Sequence, residues 1–222
     1  MIELARRRMM MGGSALPYDA EVEYLVARYV PLHIPSGILM KRGYDFGIKI
    51  ANLTIYSYTQ GSNNWHALMG TRYSSQRAMV YVAAWNNTNN NKGDIAADWQ
   101  NGSTGKIANI NSANTIFEIK FLNIGNNKVG FYINNTKYRE FTYFDFPNNI
   151  NSEISIGYPN EKHIYFGYIY NFFVRDDYGQ YIFNAVPVRK GQTAYMYDEV
   201  SKRLIDNQSS DFPFIPGPDK TA

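Results

Sequence analysis

The chain has 222 residues, 45% of them apolar and 16% aromatic, with 19 Tyr and 13 Phe; that much apolar side chain builds a core and excludes global disorder. Cysteine is absent, which removes disulfides, thiolate zinc sites and cysteine nucleophiles together. The formal charge of +3 sits mostly in residues 1–13, where Arg6, Arg7 and Arg8 face only Glu3, and the rest of the chain is close to neutral. No basic patch survives that subtraction, so nucleic acid is not an expected partner.

The first zone, 1–17, reads MIELARRRMMMGGSALP. A secretory signal needs an apolar stretch of about 7–15 residues after its basic residues. Only Met9, Met10 and Met11 follow here before Gly12-Gly13, so no signal peptide is expected. The segment reads either as a frayed terminus or as an arm that orders on a partner. In the second case Arg6, Arg7, Arg8, Met9, Met10 and Met11 are the partner-binding residues, because Met packs adaptably into irregular apolar grooves.

From Tyr18 to Val188 short strand-like runs alternate with turn clusters. The pattern predicts strands near Glu21–Leu25, Phe46–Tyr58, Trp65–Tyr73, Ala78–Trp85, Thr115–Asn123, Lys128–Ile133, Lys137–Tyr143, Glu153–Tyr158, Ile164–Val174 and Tyr181–Val186. Phe46, Ile48 and Ile50 alternate, and the phase shifts at Ala51-Asn52 before Leu53 and Ile55. Phe117, Ile119 and Phe121 share one face, with Glu118 and Lys120 on the other. Asn134-Asn135 and Asp177-Tyr178-Gly179-Gln180 are hairpin turns, and Gly125-Asn126-Asn127 is a turn. No long 3.6-period segment and no apolar run near the roughly 18 residues of a bilayer span is present. The expected fold is therefore all-β, an antiparallel sandwich or barrel, with no membrane insertion. Residues 86–113 are rich in Asn and Gly and read as a long loop, or loop plus edge strand, at the rim.

The third zone, 187–222, ends in Pro213, Pro216 and Pro218, so its last part is extended and unable to form inner ladders. Within it Pro187, Val188, Arg189, Lys190 and Gly191, then Tyr195, Met196, Tyr197 and Asp198, then Val200, Ser201, Leu204 and Asn207, and finally Gly217, Pro218 and Asp219 form a signature. It resembles the C-terminal signature of concanavalin A-like (laminin-G-like jelly-roll) proteins of Bacteroidales phages and prophages. The Ala5–Met11 string with Gly12-Gly13, and Leu16–Leu25, are similar to that family's N-terminal arm and first strand; Val26–Ile38 departs from it, and residues 40–160 match only in strand rhythm. The resemblance implies a two-sheet antiparallel jelly-roll sandwich over 18–222, preceded by an arm (1–17) that anchors in an assembly. It further implies a virion structural protein of tail or capsid, assembled in the host cytoplasm. Its partners would be other virion proteins, a host cell-surface glycan and, by analogy, further copies of the chain. Pro187 and Gly191 are expected to bracket a chain reversal, with Tyr195, Tyr197 and Leu204 as a clasp over an open sandwich edge.

Catalytic chemistry is not expected. Some sandwiches of this kind hydrolyse glycosides through a Glu-x-Asp-x-x-Glu strand, because two carboxylates must flank the bond; no such string occurs, and no catalytic residue is assigned. His33, His66 and His163 are too dispersed for a metal site. Laminin-G-like domains often hold calcium at a loop rim, and Asp94, Asp98 and Asp145 are the available acids. They lack clustered spacing, so they read as solvated loop acids, with no cofactor expected. Trp85 and Trp99 flank the Asn-rich stretch and Trp65 opens a strand. Rings that stack on sugar C–H faces, beside the amides of Asn86, Asn87 and Asn101, make the candidate glycan site; the alternative is that the Trp rings are packing residues. The alternative function is a bacterial carbohydrate-binding module of a surface polysaccharide system.

Overall fold

The structure, a computed structural model, describes residues 16–30, 32–56, 65–73, 76–83, 94–100, 102–109, 115–143, 153–157, 164–208 and 213–221. Within them the strands are β1 (Ala20–Glu21), β2 (Leu25–Val30), β3 (His33–Leu39), β4 (Asp45–Tyr56), β5 (Trp65–Tyr73) and β6 (Gln76–Ala83). There follow β7 (Asp94–Gln100), β8 (Gly102–Asn109), β9 (Ile116–Asn123), β10 (Lys128–Ile133), β11 (Thr136–Thr142) and β12 (Glu153–Gly157). The chain continues with β13 (Ile164–Arg175), β14 (Tyr181–Lys190), β15 (Thr193–Asp198), β16 (Arg203–Ile205) and β17 (Ile215–Pro216).

All pairings are antiparallel and form two sheets. The larger runs β11-β10-β9-β4-β13-β14-β15-β16, with β2 beside the first half of β13, β17 beside β2, and β1 beside β14. The smaller runs β3-β12-β5-β6-β7-β8. Their apolar faces form one core. From the larger sheet come Phe46, Ile48, Ile50, Ile119, Phe121, Phe131, Ile169, Phe172 and Phe183; from the smaller come Ile34, Met69, Val80, Ile95, Ala97, Ile154 and Ile156. The chain is thus the expected two-sheet antiparallel sandwich of jelly-roll type.

Local sequence explains the main registers. Asn134 and Asn135 both take positive φ (49° and 66°), the mirror-image turn that matches strand twist. In the β13–β14 turn, Asp176 Oδ1 accepts the Tyr178 and Gln180 amides. The phase shift at Ala51-Asn52 is a β-bulge: Tyr168 opposes Ala51 while Phe166 opposes Thr54, and Asn52 adopts φ 52°. Where the chain crosses between sheets, Gly157 at φ 67° passes so close to the Leu32 carbonyl that a Cβ would lie 1.8 Å from it.

Four expectations are corrected. Residues 86–113 contain two strands, β7 and β8, and β7 is an inner strand between β6 and β8. Its alternation is Ile95, Ala97 and Trp99 inward against Asp94, Ala96 and Asp98, and the alanines mute the signal. The run from 33 to 39 is also a strand, β3, despite Pro35 and Gly37; it sits at a sheet edge, where proline is tolerated. Pro187 lies inside β14 rather than at the reversal, which falls at Gly191-Gln192; its carbonyl accepts the Val22 amide at 3.1 Å, beside the two-residue β1. Lastly, Tyr195–Tyr197 joins the larger sheet as part of β15 instead of lying over its edge.

The signature residues lace the sandwich shut. Arg189 forms a bidentate pair with Asp219, at 2.6 Å to each oxygen. Asp198 accepts the amides of Asn184, Val200 and Ser201, fixing the β15–β16 turn. Asn207 Oδ1 accepts the His33 amide at 3.0 Å, Gln208 donates its amide to the His33 carbonyl, and Arg203 donates to the Ser36 carbonyl. Those three bonds occupy the free edge of β3, so one segment spans both sheets. On the far side of β14 and β15 a second cluster packs Leu16 and Tyr18 against Val188 and Tyr197, with the Tyr18 and Tyr197 rings edge-on at 4.8 Å.

Two outcomes are expected. Trp99 bridges the sheets through Phe121 (5.1 Å), Phe141 (6.1 Å) and Tyr143 (5.4 Å), so Trp99→Ala should cost about 3–5 kcal/mol in urea unfolding. A loss below about 0.5 kcal/mol, the surface range, would place the ring outside the core. Tyr143 donates its hydroxyl to the Tyr44 carbonyl at 3.1 Å; burial, and secondarily the charge of Asp45, push its pKa well up. A folded pKa raised above the unfolded one gives stability that is complete below about pH 10 and lost as pH rises beyond it. Urea midpoints should therefore fall between pH 9 and 11, and Tyr143→Phe should flatten that fall.

Candidate functional site

Of the residues that the sequence grouped as a glycan site, the structure describes Trp99. Trp99 is 3% exposed, its ring faces taken by the aromatics of the larger sheet, so it is a packing residue and presents no platform to a ligand. Trp85, Asn86, Asn87 and Asn101 lie outside the described residues, as do the Trp65 side chain, Arg6 to Met11 and Asp145. Asp94 and Asp98 are 1% and 4% exposed, which corrects their reading as solvated loop acids. Among the described residues no group of three or more His, Asp or Glu is placed to hold a metal ion.

A different aromatic group stands on the outer face of the larger sheet. Strand geometry puts Tyr168 and Tyr170 on one side of β13, while Ile169 between them enters the core. Tyr24, from the bend before β2, joins them: its ring lies tilted over Tyr168 at 4.5 Å and edge-on to Tyr170 at 5.4 Å. The C-terminal signature holds Tyr24 there. Gly217 donates its amide to the Tyr24 carbonyl at 3.0 Å, and a Cβ on Gly217 would meet the Tyr24 ring at 2.7 Å. The close approach is open only to glycine. All three rings are half-buried, seated in the protein with part of each surface in water.

Polar groups continue the face. Lys49, on β4, reaches to 5.9 Å from the Tyr170 ring centre. Across β13, β14 and the β15–β16 turn runs a ladder in which Asn171 Nδ2 donates to Asn184 Oδ1 and to the Ala185 carbonyl, and Asn184 Nδ2 donates to Glu199. Further along, Phe173 packs edge-on to Tyr181, and the Arg175 guanidinium lies near both rings while pairing with Asp45 at 2.9 Å. Burial pushes the Tyr24 and Tyr170 hydroxyls up, and the neighbouring tyrosines and Glu23 add to it. Both are therefore neutral hydrogen-bonding groups throughout the neutral range. The surface can offer ring faces to apolar C–H groups and hydroxyls, amides and an ammonium to a polar rim.

The sequence did contain half of this. Tyr168-x-Tyr170 in a predicted strand places two rings on one face. Tyr24 carried no such signal, because a glycine nearly two hundred residues away brings it to the platform.

No protein-family model matches the chain, and no curated protein matches it. Among solved structures it is similar to the crystal structure of a candidate carbohydrate binding protein from Bacteroides ovatus ATCC 8483, at 13% identity and a TM-score of 0.49. The match covers 87% of this chain, which spans 61% of the length of that one. Fold and surface together define a two-sheet antiparallel β-sandwich with a tyrosine-bearing outer face.

Proposed function

We propose that this chain is a non-enzymatic glycan-adhesion sandwich, and that it works as a structural component of a phage virion. The observation that carries the adhesion reading is the Tyr24–Tyr168–Tyr170 platform, three partly exposed rings on an open sheet face beside amides and an ammonium. A pyranose has an apolar C–H face and a polar rim, and an open aromatic surface with flanking polar groups matches both. The virion reading is supported by the likeness of the two chain ends to the phage and prophage family. In that reading residues 6–11 enter an assembly partner and the sandwich faces outward. A bacterial carbohydrate-binding module is the second reading, favoured by the same platform; mass spectrometry of purified particles separates the two, since only a virion protein is recovered there.

Glycan-array binding by the whole chain, followed by titration with the best binder, tests the platform. Tyr168→Ala and Tyr170→Ala are each expected to weaken binding about tenfold, in the range measured for aromatic contacts, with the fold intact by circular dichroism. Unchanged affinity in both variants, or a wild-type chain that binds no array glycan, overturns the reading. A chain lacking residues 1–13 is expected to keep its melting temperature and to be missing from particles; its normal incorporation would refute the arm's role.

A further inference from the structure

The platform carries a charge that its surroundings leave uncancelled. On β4, Lys49 lies between Glu118 of β9 and Asn171 of β13 in the ladder. Glu118 is already taken by Lys120 at 2.7 Å, and Lys120 also donates to Asn135 at 2.8 Å. Asn171 is neutral and spends its amide N–H groups on Asn184 and Ala185. Lys49 itself is exposed and makes no ion pair among the described residues. At 5.9 Å from the Tyr170 ring centre its ammonium is at the outer limit of a cation–π contact. The ring thus holds the charge beside the platform without using its three N–H donors.

We infer that the platform takes an acidic sugar, a pyranose bearing a carboxylate such as a uronic or sialic acid residue, with its ring on Tyr168 and Tyr170 and its carboxylate on Lys49. The inference rests on the glycan reading of this face. A neutral sugar's hydroxyl can accept from Lys49 but leaves its charge unopposed, whereas a carboxylate accepts the same hydrogen bond and adds an opposite charge. Glu23, which directly precedes Tyr24 in the chain, brings a second charge near the platform, and its field raises both the Tyr24 and Tyr170 hydroxyls. Glu23 is exposed, and its amide donates to the Pro218 carbonyl. A sugar carboxylate is drawn to Lys49 and repelled by Glu23, so the two charges select one orientation of the ligand.

The experiment is calorimetric titration of the full chain with two matched pairs: trigalacturonate against its methyl ester, and 3′-sialyllactose against lactose. The carboxylated member of at least one pair is expected to bind about fivefold more tightly, the strength of one exposed charge pair, with the advantage shrinking as salt rises. Lys49→Gln should abolish the advantage by weakening the carboxylated member more than the neutral one, Lys49→Arg should keep it, and Glu23→Gln should enlarge it. Equal affinities within both pairs, or an equal loss for both members in Lys49→Gln, overturns the inference. If Tyr168→Ala weakens every probe while Lys49→Gln alters none, glycan binding stands and the acidic preference falls. If no probe and no array glycan binds the wild-type chain, both fall.

Discussion

The contact between the two apolar sheet faces governs this molecule, and Trp99 is its most telling member. The ring arises from the smaller sheet and ends among Phe121, Phe141 and Tyr143 at the far side of the core. Phe121 in turn touches Phe46 and Phe131. These rings meet where the sheets must interlock. Once that seam is closed, each sheet has only one face left for anything else. On the larger sheet that remaining face holds the tyrosines.

The signature at the end of the chain turns out to be mechanical in its chemistry. Arg189 with Asp219, the Asp198 turn, and Asn207 on the edge of β3 each satisfy backbone or charge within the protein. Gly217 has a double role, since the absence of its side chain is what lets Tyr24 join the platform. A motif can therefore mark a fold reliably and still say little about a ligand: its residues are consumed in closing the body. Of the groups facing water, Lys49 lies in the part of the chain where only rhythm resembles the family, and Tyr168 and Tyr170 lie between that part and the signature.

Legibility followed the strength of the local signal. Phe46, Ile48 and Ile50, or Phe117, Ile119 and Phe121, announce a half-buried strand, and all of them face the core. The Asn52 bulge was visible as a slip in phase. By contrast β7 hides behind alanines, and β3 behind Pro35 and Gly37, because small or breaker residues dilute the period without preventing pairing. Trp99 misled for a related reason. An aromatic next to an Asn-rich stretch reads as a rim residue, yet inner or outer placement depends on the parity of the strand, and Trp99 falls on the inward parity with Ile95 and Ala97. The platform was half legible because Tyr168 and Tyr170 are local to one strand while Tyr24 arrives by a tertiary contact.

The pairing of residues 19–22 with β14 and with 218–220 has a consequence for load. The Asp19 amide is bonded to the Arg189 carbonyl, Asp19 Oδ2 to the Gly191 amide, and the Lys220 amide to the Glu21 carbonyl. Tension applied at residue 16 is delivered to these short pairings and to the Tyr18–Tyr197 contact before it reaches the aromatic seam. They are the first contacts that such a load meets, at the corner of the body and apart from the core.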